Sequence, residues 1–165
     1  MRSGAAPSRY TVENHVGRLV EARVTWLSTP ADVDAYVAVS AQWVAKCRQR
    51  VILCADHRPV MIYPPEIADR FIGTLRNMNP KLERVALVVT RSNATLAMQL
   101  ERLVRAAEFD GRRVCYTPED AVSYLSGCLN VTETGRLRAF LAEWRPQETA
   151  GSLSPPPRKK RPSVT

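Results

Sequence analysis

Residues 54–58 put a thiol, a carboxylate, an imidazole and a guanidinium close together: Cys54, Asp56, His57 and Arg58. They follow the apolar run Val51-Ile52-Leu53, which reads as a strand. In α/β sheets, ligands and active sites gather at the C-terminal ends of strands. A thiol beside an imidazole suggests a nucleophile and its base, and His with Asp or Cys suggests metal ligands. Such a site, with Ser92 nearby, would make the chain an enzyme or small-ligand receptor. The plainer reading is favoured: Cys54 is a core residue, and Asp56, His57 and Arg58 leave the sheet for solvent.

Three other places carry functional types. Arg91, Ser92 and Asn93 stand at the end of another strand pattern and the start of a helix pattern. Free N–H groups there would suit a phosphate, yet Ser and Asn are also ordinary N-caps. Tyr63-Pro64-Pro65-Glu66 is read in two ways, as an exposed contact surface or as a stiff lead into a helix with Tyr63 packed inward. The C-terminal stretch Pro155-Pro156-Pro157-Arg158-Lys159-Lys160-Arg161-Pro162 reads as an extended arm with four positive charges, suited to an acidic or phosphate-bearing partner, or as a solubilising tail.

Elements must hold these residues in place, and the pattern supplies them. Val20, Ala22, Val24 and Trp26 alternate with polar residues, a period of two that predicts a half-buried strand within residues 10–27. Ser28-Thr29-Pro30 starts a helix carrying Val33, Val37, Ala41 and Val44 and ending near Arg48–Arg50. Val51–Ala55 predicts a central strand buried on both faces. A helix from Pro65 carries Ile67, Phe71, Leu75 and Met78 and ends at Asn79-Pro80. Leu82–Val89 is the next strand, and a helix capped by Ser92 or Asn93 follows. Arg113–Tyr116 is a short strand, Thr117-Pro118 starts a helix, and Asn130 with Glu133 forms a capping box for the last one. The expected fold class is α/β, a mixed sheet of about four to five strands flanked by helices. The domain spans 10–146, between a disordered 1–9 and a disordered, Pro-rich, basic 147–165.

Bulk properties agree. The 165 residues suffice for one domain, and the net charge is +8. Residues 150–165 contain Arg158, Lys159, Lys160 and Arg161 and no acid, so half of that excess lies there. Arginine outnumbers lysine twenty to four, which reads as the composition of a GC-rich bacterial genome. Cys47, Cys54, Cys115 and Cys128 form no C-x-x-C pair. With no apolar leader and no stretch of 18 apolar residues, a reducing cytoplasm is expected. No glycine-rich nucleotide turn, P-loop or G-x-S-x-G elbow occurs, so no catalysis and no cofactor or metal is expected.

The order of elements, with Val51-Ile52-Leu53-Cys54-Ala55-Asp56, Pro65-Glu66-Ile67-Ala68-Asp69-Arg70 and Leu82 through Val89, resembles the STAS-like families, bacterial relatives of the anti-sigma-factor antagonists. Residues 96–105, then Arg112-Arg113-Val114 and a Pro-led helix, add to the likeness, which covers roughly residues 15–143. It implies a sheet flanked by helices and a role in protein–protein switching or scaffolding without catalysis. Classical members carry a phosphorylatable Ser or Thr where the central strand leads into its helix. The matching segment here, Ile62-Tyr63-Pro64-Pro65-Glu66, has none, so that switch is not carried over.

Overall fold

Parallel crossovers are right-handed, so strands laid side by side in sequence order send every crossover helix to the same face of the sheet. The computed structural model describes residues 9–146 and follows that rule. Its strands are β1 (Tyr10–Val16), β2 (Leu19–Val24), β3 (Val51–Asp56), β4 (Leu82–Val88) and β5 (Arg112–Cys115), in the spatial order β1-β2-β3-β4-β5. β1 and β2 form an antiparallel hairpin, and the other neighbours pair in parallel. This is the expected mixed α/β sheet.

The crossover helices are α1 (Pro30–Lys46), α2 (Pro65–Leu75) and α3 (Ala94–Ala106), with a 3₁₀ turn at Arg76–Lys81. They cover the face formed by Val20, Ala22, Val24, Leu53, Ala55, Val85, Leu87 and Val114. This topology would leave the opposite face bare. The chain covers it after the last strand with α4 (Pro118–Ser126) and α5 (Val131–Glu143). There Leu19, Ile52, Cys54, Ala86, Val88 and Cys115 meet Leu125, Leu137 and Phe140. β3 is therefore buried at every position, as its unbroken apolar run requires.

Local chemistry sets the helix ends. Thr29 and Asn130 form full capping boxes with Asp32 and Glu133, satisfying N–H groups that the helix itself leaves free. Asn93, not Ser92, caps α3. Arg9 joins the sheet to α1: its carbonyl accepts from Thr25 and Trp26 and its guanidinium lies 2.7 Å from Asp32. The expectations for residues 1–8 and 147–165 lie outside the described residues. No described helix is long and apolar enough to cross a membrane.

Gly17 turns the β1–β2 hairpin with φ +53°, and a Cβ there would run into the Glu133 carboxylate. Gly17→Ala is expected to lower stability by about 1–2 kcal/mol from backbone strain alone. A urea-denaturation midpoint equal to that of the wild type would contradict this placement.

Candidate functional site

Successive side chains of a strand point to opposite faces, and this alternation divides the residue 54–58 cluster. Cys54 and Asp56 face α4 and α5, and His57 faces the other way, towards Tyr63. The thiol and imidazole are thus on opposite sides of the sheet and form no nucleophile–base pair. Burial pushes the Cys54 thiol well up, which keeps it protonated.

The expectation that Asp56, His57 and Arg58 turn out to solvent does not hold. Asp56 and His57 are buried, and the Arg58 side chain is 6% exposed. The reason is α5, which closes over the end of β3. Parallel register sets Arg23 of β2 beside Asp56. Arg23 Nε donates to Asp56 Oδ2 at 3.0 Å, and Arg58 donates to both carboxylate oxygens at 2.8 and 2.9 Å. The same guanidinium groups continue into the helix above. Arg23 donates to the Phe140 carbonyl at 2.6 Å and Arg58 to the Leu141 carbonyl at 2.8 Å. Those carbonyls belong to the last turn of α5, where no intrahelical donor remains and positive charge is favoured. The arginines also cover the rings of Phe140 and Trp144, at 4.4 and 5.0 Å from their centroids. Burial by itself raises the Asp56 carboxyl. Its hydrogen bonds and charge contacts with Arg58, joined by Arg23, outweigh that and hold it below the ordinary value.

A second buried carboxylate is arranged in the same way. Glu21 faces α5 from β2 and is gripped by Arg136 at 2.5 and 3.0 Å. Glu13 lies directly across the hairpin from Glu21, and His15 bridges the two carboxylates at 2.7 and 3.3 Å. Among the described residues Glu13, His15 and Glu21 are the set spaced to chelate a cation. Arg136 already supplies positive charge to Glu21.

The other predicted positions fare differently. Tyr63 is buried, so the reading of it as an exposed contact gives way to the packed one. It stacks edge-on against Phe71 at 5.4 Å and bonds His57 Nδ1 through its hydroxyl at 2.8 Å. Gln99 of α3 binds both the Tyr63 N–H and its carbonyl, at 3.0 and 2.7 Å. Asn93 accepts from the Leu96 N–H and donates to the carbonyls of Val60 and Met61. The head of α3 is therefore occupied by its own cap. Ser92, Arg91 and Glu66 are exposed, while Arg158, Lys159, Lys160 and Arg161 lie outside the described residues.

Sequence reading missed what this clamp presents. With the loop tied down at Asn93 and Gln99, Met61 and Ile62 stand out at 81% and 55% exposure, and Met98 of α3 at 73%. Met98 also borders a surface depression of about 420 Å³ with Arg91, Glu101, Arg105 and Tyr116. Consecutive Met61-Ile62 in the loop between β3 and α2 was the available signal.

No protein-family model, curated protein or solved structure matches the chain. Fold and site geometry define it as an α/β domain with a five-stranded mixed sheet, a buried arginine–carboxylate cluster at the ends of β2 and β3, and exposed Met61, Ile62 and Met98.

Replacing Asp56 by Asn leaves two guanidinium groups without their counter-charge. Asp56→Asn is expected to cost about 3–5 kcal/mol of stability at neutral pH, read from urea denaturation, with α5 the element that loosens. A loss below about 1 kcal/mol would contradict the assigned role. His57 is kept neutral, its imidazole pushed down to about 4 by burial, with Asp56 acting weakly in the opposite sense. Its folded pKa lies below its unfolded value of about 6.5, so its contribution is complete above that pH and is lost as pH falls through 4. The loss amounts to about 3 kcal/mol. His57→Phe should remove the slope of stability between about pH 6.5 and 4; an unchanged slope would assign it to another group.

Proposed function

We propose that the chain is a non-enzymatic, STAS-like interaction module of the bacterial cytoplasm, a regulatory scaffold that docks a protein partner at the C-terminal strand ends. The observation that carries this reading is the exposure of Met61, Ile62 and Met98 on backbone that is held rigid. Large apolar side chains displayed on a fixed support lower the ordering cost of association. Methionine in particular adapts to varied partner surfaces. Glu66, Arg91 and Ser92 supply a polar rim, the usual surround of an apolar contact. The resemblance in element order agrees with a partner-binding role, and the missing Ser or Thr at residues 62–66 makes the docking constitutive rather than gated by phosphorylation there.

The tail is the second attachment point. Arg158, Lys159, Lys160 and Arg161 stand in a stretch without acids, which favours an acidic or phosphate-bearing surface and salt-dependent binding. If the tail alone carried the function, nucleic acid or an anionic membrane would be the partner. Neutralising the four basic residues would then abolish all binding.

The test is capture of partners by the full chain, compared with a Met61→Asp, Met98→Glu double variant. The variant should keep the wild-type melting temperature, since neither side chain is buried, yet bind the captured partner about thirty-fold more weakly, as expected for loss of about 2 kcal/mol at a central contact. Equal binding by both would refute this surface. Binding abolished only by removing residues 150–165 would favour the tail reading.

A further inference from the structure

Glu13 and Glu21 stand directly opposite each other on β1 and β2. Like charges so placed repel and weaken a strand pair. Glu21 is buried, while Glu13 and His15 are exposed. His15 lies between the two carboxylates, with Nδ1 2.7 Å from Glu21 Oε2 and Nε2 3.3 Å from Glu13 Oε2. A bulge places the imidazole there. The β1–β2 register shifts between Glu13 and Val16, and an irregularity of this kind re-aims a side chain. Asn14 pins it, its amide donating to the Gly17 and Leu19 carbonyls at 3.0 and 2.8 Å.

Arg136 does not balance the charge collected here. Ion pairs join Glu13, His15, Glu21, Arg136, Glu143, Arg23, Asp56 and Arg58 in one continuous network. Its carboxylates are Glu13, Glu21, Asp56 and Glu143, and its guanidinium groups are Arg23, Arg58 and Arg136, so one negative charge is left over. The surplus lies at the hairpin end, because among the described residues no arginine pairs with Glu13. Arg136 takes Glu21 Oε1 at 2.5 Å and reaches Oε2 at 3.0 Å. A carboxylate oxygen accepts at two positions, so Oε2 can hold a further partner beside Arg136.

We propose that Glu13, His15 and Glu21 form a zinc-binding site. One ligand atom from each lies within 4.8 Å of the others. A tetrahedral zinc ion with bonds of about 2.0–2.1 Å needs its ligand atoms about 3.3 Å apart. Glu13 and His15 are exposed, so their side chains can adjust to that spacing and an ion can reach them from solvent. An imidazole with two carboxylates suits zinc better than magnesium or calcium, which prefer oxygen ligands alone. Three protein ligands leave the fourth position to water. Arg136 becomes the outer partner that orients the Glu21 carboxylate. The bound ion cancels the surplus charge, ties β1 to β2 and stabilises the folded chain by mass action. None of this involves Met61, Ile62 or Met98.

Calorimetric titration of the full chain with zinc chloride tests the site. One ion per chain is expected, with a rise in melting temperature that magnesium and calcium chloride do not produce. Glu13→Gln and His15→Ala should each lose both effects, yet melt close to the wild type in EDTA, as surface substitutions do. Cobalt(II) in place of zinc reports the ligands. Visible absorption from a nitrogen–oxygen site is expected, without the near-ultraviolet band of a metal thiolate. That band would place the ion on a cysteine and overturn the proposal. Absence of zinc binding, an equal melting rise with magnesium, or undiminished zinc binding by either variant would overturn it as well.

Discussion

The grip of Arg23 and Arg58 on the Asp56 carboxylate is the interaction on which the architecture turns. Sequential strand order sends α1, α2 and α3 to one face and leaves the other without cover. That second face is closed by α4 and α5, and the final carbonyls of α5 are bound by the same guanidinium groups that neutralise Asp56. One buried charge cluster thus joins β2, β3 and the last helix. Buried ion pairs of this kind add little net stability over a well-packed apolar alternative, and their better-attested role is to fix geometry. Here they fix the rotation and axial position of α5, because only one placement brings the Phe140 and Leu141 carbonyls to the arginines.

The opposite face is organised by neutral hydrogen bonds. Gln99 reads the Tyr63 backbone as a neighbouring strand would, with one acceptor and one donor. Tyr63 then fills the core, and its predecessors Met61 and Ile62 are left outside. The buried aromatic and the exposed apolar pair are consequences of the same clamp. The loop after β3 is therefore tied to α3 at the backbone of Val60, Met61 and Tyr63.

Much of the fold was legible in the chain. The apolar run Val51–Ala55 has no polar break and so must lie between two layers. Val20, Ala22 and Val24 alternate as a half-buried strand does, and Asn130 with Glu133 marks a helix start by chemistry local to four residues. The site was less legible, because its determinants are remote in sequence. Asp56 meets Arg23 through strand register and meets α5 through residues 83 to 117 positions away from their arginine partners. A carboxylate ending a strand reads as solvated unless that helix is known to close over it. Tyr63 was ambiguous because its burial is decided by Gln99, 36 residues later. The strand expected at Arg113–Tyr116 begins one residue earlier, at Arg112, since nothing local says which of two adjacent arginines a strand turns inward.

The late position of α5 in the chain has a consequence for how the protein is made. The strands pair in the order in which they occur in the chain, so each finds its neighbour among the elements made just before it. The exception is the return of α5 to β2, across 115 residues between Arg136 and Glu21. Until α4 and α5 are synthesised, Leu19, Ile52 and Val88 present an open apolar face, and Glu21 lacks its arginine. The nascent chain thus passes through a stage in which the smaller of its two apolar clusters lies open, and α5 is the element that completes its cover.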